Sequence, residues 1–271
     1  MKIISTKNYK EFLQSISKVT DGFGFLAGGT NVMMDEKRGS TNISLYFDIS
    51  GFDSELRFIR ESEDSIEIGA LMRLSEITKS TCIQQHLPHL VSAIQSIGTM
   101  QVRNMATLAG NVANASSIGD SIPALMISGA VLKAENIHGQ RIISIEDFFL
   151  DYKKTALKGD EIIRSIILPK NNPKGSFGFV KVAVRPTATV SKLNLAYAVA
   201  PSSVLLAAGG VAKVPVRLYN TEAFFQLPRT DIFEAELLSV LKKDVFPIND
   251  TKSTVEYRVQ VLANLLAAIK A

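Results

Sequence analysis

Positions 169–175 hold two prolines, two asparagines and a glycine, the strongest break in the chain. The hydrophobic patterns on its two sides differ, so the fold has at least two separately patterned parts. Beyond the break, strand-like runs at 178–184, 193–199, 203–211 and 214–219 follow one another closely. That order reads as an antiparallel sheet. Two helices come next, and in the last of them Val255, Val259, Leu262, Leu266 and Ile269 form one apolar stripe suited to covering the sheet.

Ahead of the break the pattern alternates. A strand at 2–4, a helix with Tyr9, Phe12, Leu13 and Ile16 on one face, and strands at 23–27 and 43–49 make a small α/β unit over about residues 1–52. From 53 to 168 the reading is paired strands at 56–60 and 65–70, a helix capped by Ser75, and a helix opened by Pro88 and running towards Ile97. A helix from near Asp120, a strand at 130–135, a helix at 145–149 and a strand at 161–168 follow. The expected class is α+β: a small α/β unit plus a mixed or antiparallel sheet with helices over 1–168, then an antiparallel sheet packed with helices over 176–271.

Composition excludes several function classes. The 30 basic and 26 acidic residues leave a formal net charge of +4 without any basic run, which argues against nucleic acid as a partner. A single cysteine, Cys82, permits no internal disulfide and no iron–sulfur cluster held by this chain alone. His86, His89 and His138 form no ligand cluster, so no metal site is expected. No apolar run reaches the roughly 18 residues of a membrane helix, and the start opens into a strand pattern. The expectation is a soluble, cytoplasmic protein with no membrane partner.

Two segments carry the chemistry. Phe25, Leu26, Ala27, Gly28, Gly29, Thr30, Asn31 and Val32 put two glycines and two small polar residues straight after an apolar strand. Glycines there allow positive φ and close approach of backbone N–H groups to a ligand, and successive amides form a concavity suited to a pyrophosphate. A plain strand-ending turn would use the same residues. The second segment, 107–120, offers Thr107, Gly110, Asn111, Asn114 and Ser116 among alanines and aliphatics, with one carboxylate, Asp120. That carboxylate can accept from a ribityl or ribose hydroxyl, or cap a helix ahead of Pro123; Asn111 can equally be a turn residue. The run from Gly22 to Ala27 matches G-x-G-x-x-A, but its glycines precede the strand, which excludes a Rossmann fingerprint.

Together the 27–31 loop, the 102–111 segment and the continuation from Asp120 through Pro123, Ala124 and Leu125 resemble the FAD-binding domain of molybdenum hydroxylases. That family includes xanthine dehydrogenase and the flavin-binding medium subunit of aerobic carbon monoxide dehydrogenase. The stretch 161–169 is similar to the family's last FAD-domain strand and 253–258 to its C-terminal helix start, so the resemblance covers nearly the whole chain. It implies an oxidoreductase subunit with residues 25–32 around the FAD pyrophosphate. Thr107, Gly110, Asn111 and Asp120 would hold the ribityl–phosphate region and neighbouring hydroxyls, and Ala109 and Asn114 would also be cofactor-binding. Ile97 would pack on the flavin, and Ile163 and Lys181 would make further FAD contacts. Core packing for Ile97 and Ile163, and a solvated strand for Lys181, are the readings of those residues taken alone.

The segments offer amides and hydroxyls but no histidine or cysteine placed for attachment, so FAD is expected to be bound non-covalently. By the resemblance no catalytic acid or base is required, since the flavin carries the redox chemistry. The molybdenum cofactor and the [2Fe–2S] clusters lie in a large and a small partner subunit, and NAD or another acceptor takes the electrons. A stand-alone flavin oxidoreductase and a scaffold subunit that has lost FAD are the other readings. Ala109 stands where many members have glycine and Ser117 where many have proline. Residues 185–191 follow the family only loosely, which bears on partner contacts.

Overall fold

The computed structural model describes residues 1–19, 22–170, 175–185, 188–227 and 234–270. The break at 169–175 therefore lies partly outside the described residues, as do two positions of the 185–191 segment. The first part holds β1 (Lys2–Ile4), α1 (Tyr9–Ile16), β2 (Phe23–Leu26), α2 (Val32–Arg38) and β3 (Leu45–Asp48). Its strands form a parallel sheet in the order β1-β3-β2, with Phe25 level with Phe47. The Asn8 side chain caps α1 by accepting from Glu11 N at 2.9 Å. The helix turns Tyr9, Phe12, Leu13 and Ile16 inward, and the Phe12 ring meets Phe25 and Phe47 edge-on. Helix α2 was not expected; Gly39, in the left-handed region at φ 62°, ends it.

The second part runs through α3 (Asp53–Leu56), β4 (Ile59–Glu61), β5 (Ser65–Gly69), α4 (Leu74–Ile77), α5 (Thr81–His86), α6 (Pro88–Gln95), α7 (Met100–Arg103), α8 (Leu108–Ala113) and α9 (Ser121–Ile127). It continues with β6 (Val131–Asn136), β7 (Gly139–Ser144), α10 (Ile145–Phe148), β8 (Phe149–Asp151), β9 (Lys154–Thr155) and β10 (Ile162–Pro169). Strands β4-β5-β10-β6-β7 make an antiparallel sheet in that order. Tyr9 donates to Glu135, which also accepts from Arg164 at 2.7 Å, tying α1 to this sheet. Two local expectations need correcting. Leu56 ends a short helix, so the strand paired with β5 starts only at Ile59. Ser75 lies inside α4, whose N-cap is Arg73.

The third part comprises β11 (Ser176–Ala183), β12 (Ser191–Ala200), β13 (Ser203–Gly209), β14 (Val216–Arg217), α11 (Tyr219–Gln226), α12 (Glu234–Leu241) and α13 (Val255–Lys270). The sheet is antiparallel in chain order. Three helices follow it among the described residues rather than two, because Tyr219 opens α11 where a longer fourth strand was expected. The period-two alternation of β12 decides which neighbour each side chain meets. Leu193 and Leu195 join the core under α11–α13, where Val259, Leu262 and Leu266 are buried. Ala196 and Ala198 point the other way into the core of the first two parts. That face is small, and helices α6 and α9 pack against the sheet.

Candidate functional site

Strand β2 delivers the chain into a loop over residues 27–31, and α2 starts at Val32. Phe25 and Leu26 belong to the strand; Ala27 through Asn31 form the turn. Gly29 sits at φ +67°, a region that favours glycine. Gly28 is required for a different reason. A Cβ there would lie 1.9 Å from the Met105 carbonyl oxygen and 3.0 Å from Ala106 Cα. The first loop therefore touches the backbone leading into the second segment. Carbonyls of Gly29 and Asn31 accept from Met33 N and Asp35 N as α2 winds up. The N–H groups of Gly28, Gly29, Thr30 and Asn31 donate to no group among the described residues.

Part of the second segment is helical. Residues 108–113 form α8, because Thr107 caps them and Leu108, Ala109 and Val112 bury one face. Thr107 Oγ1 accepts from Gly110 N at 3.0 Å, and Thr107 O accepts from Asn111 N at 3.0 Å. Asn111 Oδ1 accepts from Ser121 Oγ at 2.6 Å, joining α8 to α9. Asn114, the C-cap of α8, accepts at Oδ1 from Asn31 Nδ2 at 2.6 Å, across 83 positions of sequence. Lys153 Nζ reaches the same oxygen at 3.2 Å. The α8 entrance is fixed by bonds between 72–74 and 106–108, including Leu74 N to Ala106 O at 2.9 Å.

Asp120 occupies the N-cap position of α9 but makes no side-chain cap bond. Its carboxylate is 7% exposed as a residue and accepts from Lys181 Nζ at 2.7 Å, Ser191 Oγ at 2.6 Å and Asn194 Nδ2 at 2.8 Å. A carboxylate offers roughly four acceptor positions. Three are used, which leaves one, on Oδ2. Lys181 is no solvated strand residue: its side chain is 11% exposed, and Nζ also donates to Ser96 O at 2.8 Å. Ile97 follows Ser96 directly and is half-buried, its carbonyl accepting from Arg103 Nη1 at 2.9 Å. Asp120, Lys181 and the 96–97 bend thus meet at one place. Ile163 stands apart from that cluster, 5% exposed in β10 opposite Ala134.

Sequence reasoning missed Ser191 and Asn194. Their signal is a polar residue at an inward position in an otherwise apolar strand, where burial demands a partner. The histidines lie outside both segments. His89 is buried with Nε2 at 2.7 Å from Ser128 Oγ, and burial pushes its pKa down to about 4. Among the described residues no group of three or more His, Cys, Asp or Glu side chains could hold a metal, and no helix is long and apolar enough to cross a membrane.

A family model described as the FAD-binding domain in molybdopterin dehydrogenase matches residues 1–171. This chain belongs to that family. Over 249 residues it is 29% identical to the xanthine dehydrogenase FAD-binding subunit of Escherichia coli O157:H7, covering 89% of this chain and 85% of the relative. It is also 29% identical over 172 residues to the nicotinate dehydrogenase FAD-subunit of Eubacterium barkeri, spanning 62% of this chain and 58% of that protein. Among solved structures, a chain of the carbon monoxide dehydrogenase from Hydrogenophaga pseudoflava superposes with a TM-score of 0.90 at 22% identity, covering 99% of this chain and 95% of that one. The chain is thus an FAD-binding subunit of the molybdenum hydroxylase type, an oxidoreductase component.

The residues present suit the cofactor. Four free amides beside a positive-φ glycine offer donors to a pyrophosphate, and the open acceptor position of Asp120 suits a hydroxyl.

Proposed function

We propose that this flavin subunit receives electrons from [2Fe–2S] clusters in a small partner subunit and passes them to NAD or another acceptor. Substrate would be hydroxylated at a molybdenum cofactor in a large partner, and the assembly would work in the cytoplasm. The observation that supports this best is the meeting of two glycine-bearing segments, with the Gly28–Asn31 amides free on one side and Asn114 on the other. Bound FAD would supply the exchange between one-electron donors and a two-electron acceptor that such a relay needs.

In this reading residues 1–168 are the FAD-binding domain, with sub-units 1–52 and 53–168, and 176–271 are the C-terminal domain. Residues 25–32 wrap the pyrophosphate. Thr107, Gly110, Asn111 and Asp120 hold the ribityl–phosphate region and neighbouring hydroxyls, and Ala109 and Asn114 also contact the cofactor. Ile97 packs on the flavin, and Ile163 and Lys181 make further FAD contacts. Attachment is non-covalent, since neither segment contains a histidine or cysteine.

The test is the purified chain itself. Its visible spectrum should be that of a flavin, and acid precipitation should release the colour into the supernatant. The chain should pass electrons from a reduced nicotinamide or an artificial donor to a dye and hydroxylate nothing alone. A colourless protein that takes up no FAD would refute the site. Turnover of a heterocycle or aldehyde by the isolated chain would instead mark a stand-alone flavoenzyme.

A further inference from the structure

The stretch from Ser117 to Asp120 is gripped from the C-terminal sheet. Asn194, wholly buried in β12, donates through Nδ2 to Asp120 Oδ1 at 2.8 Å and to Ile118 O at 3.3 Å, while its Oδ1 accepts from Gly209 N at 2.9 Å. Gly210 N donates to Ser117 O at 2.7 Å. This contact leaves no space for side chains. A Cβ on Gly209 would lie 2.5 Å from Asn194 Oδ1, and one on Gly210 would lie 2.5 Å from Lys192 O and 3.0 Å from Ile118 Cγ2. From α13, Arg258 Nη1 donates to Gly210 O at 2.7 Å and to Lys192 O, bracing the same corner.

Lys181 supplies the charge that a buried carboxylate needs. Ser191 and Asn194 add no charge; they bind Oδ1 only, and so fix the plane of the carboxylate while Oδ2 keeps its open position. We propose that Asn194 is a positioning residue for the flavin cofactor, acting through Asp120 from the C-terminal sheet. Cofactor affinity is then set by both domains rather than by the first alone. This rests on the reading of Asp120 as a cofactor contact.

The experiment is FAD titration of the full-length apoprotein by flavin fluorescence, with apoprotein Tm measured alongside. The variants are Asn194→Leu, Asp120→Ala and their combination, with Ser191→Ala as a gentler probe of the same oxygen. Asn194→Leu should raise Kd roughly tenfold to a hundredfold and Ser191→Ala about threefold to tenfold. In the Asp120→Ala background, which lacks the acceptor oxygen, each effect should shrink to under about threefold, because coupled sites are not additive. The visible circular dichroism of the bound flavin should change with Asn194→Leu.

Equal effects in both backgrounds, or an unchanged Kd in Asn194→Leu with normal Tm, would overturn the proposal. If Asn194→Leu does not fold, the Ser191→Ala cycle decides by the same criterion. A wild-type chain that binds no FAD would bring down the cofactor reading itself, and this proposal with it. Wild-type binding with additive cycles would remove this proposal alone.

Discussion

Residues 28–31 and 107–120 approach each other across Asn31 and Asn114, yet the first leaves its amide donors free while the second uses most of its polar groups internally. Thr107 caps α8, Asn111 holds Ser121, and Asp120 takes three donors. The free loop has the features of a ligand surface; the saturated segment has those of a frame built before any ligand arrives. Binding in such a site depends on keeping the first segment close to the second, and on the frame not shifting.

The largest effect should come from separating the two. Gly28→Val places a side chain against the Met105 carbonyl, only 1.9 Å from the first added atom, and should reduce the flavin-to-protein absorbance ratio to background. Gly110→Val meets only the Thr107 hydroxyl, at 2.9 Å, and should lose the cap bond and a fraction of the flavin. Equal loss in both variants would show that the approach of the two backbones is not what matters.

Disturbing the frame comes next. Asp120→Ala removes the partner of Lys181, whose side chain is 11% exposed. A stranded buried charge of this kind destabilises by about 3 kcal/mol. Urea unfolding of the apoprotein should register that loss, and Asp120→Ala combined with Lys181→Met should recover most of it. Failure of the second change to recover stability would mean that the ammonium has another way to be satisfied.

A third effect lies where α6 packs on the C-terminal sheet, beside the frame and away from the loop. His89, with its pKa lowered to about 4 by burial, must gain a proton to unfold at pH values between there and the ordinary 6.5. The unfolded state binds more protons in that window, so stability rises with pH and is lost as pH falls from 6.5 towards 4. The loss integrates to ~3 kcal/mol. Urea midpoints measured across the window should slope accordingly, and His89→Phe should flatten the slope. A wild-type profile flat above pH 4 would contradict the burial effect.

The same contrast explains what could be read from sequence. Strands β1 to β3, α1, α6, α9 and the C-terminal sheet follow from hydrophobic period and from markers such as Pro88, all of which are local. Helix α8 was hidden because Gly110 and Asn111, poor helix formers, interrupt the Leu108–Ala109–Val112 stripe that buries it. Strand β7 escaped because its period-two signal is short and follows the turn at Ile137 and His138 directly. The residues around Asp120 were legible only in part. Lys181 came from family resemblance, but its partner stands 61 positions away and Asn194 stands 74 away. Nothing local encodes which distant donors a carboxylate will find.

The smallest expected effect tests the bridge between the segments. Asn31→Ala removes one exposed hydrogen bond to Asn114, and exposed bonds of this kind contribute about 0.5–1.5 kcal/mol. FAD Kd should rise about twofold to tenfold in Asn31→Ala, and Asn114→Ala should act similarly, since it also removes the acceptor for Lys153. If the bridge alone matters, the double variant should bind FAD no worse than the weaker single variant. If Asn31 also donates to the cofactor, Asn31→Ala should weaken binding even where Asn114 is already alanine. Kd values from one fluorescence titration series separate the two outcomes. The second would add the Asn31 side chain to the free donors of the first loop.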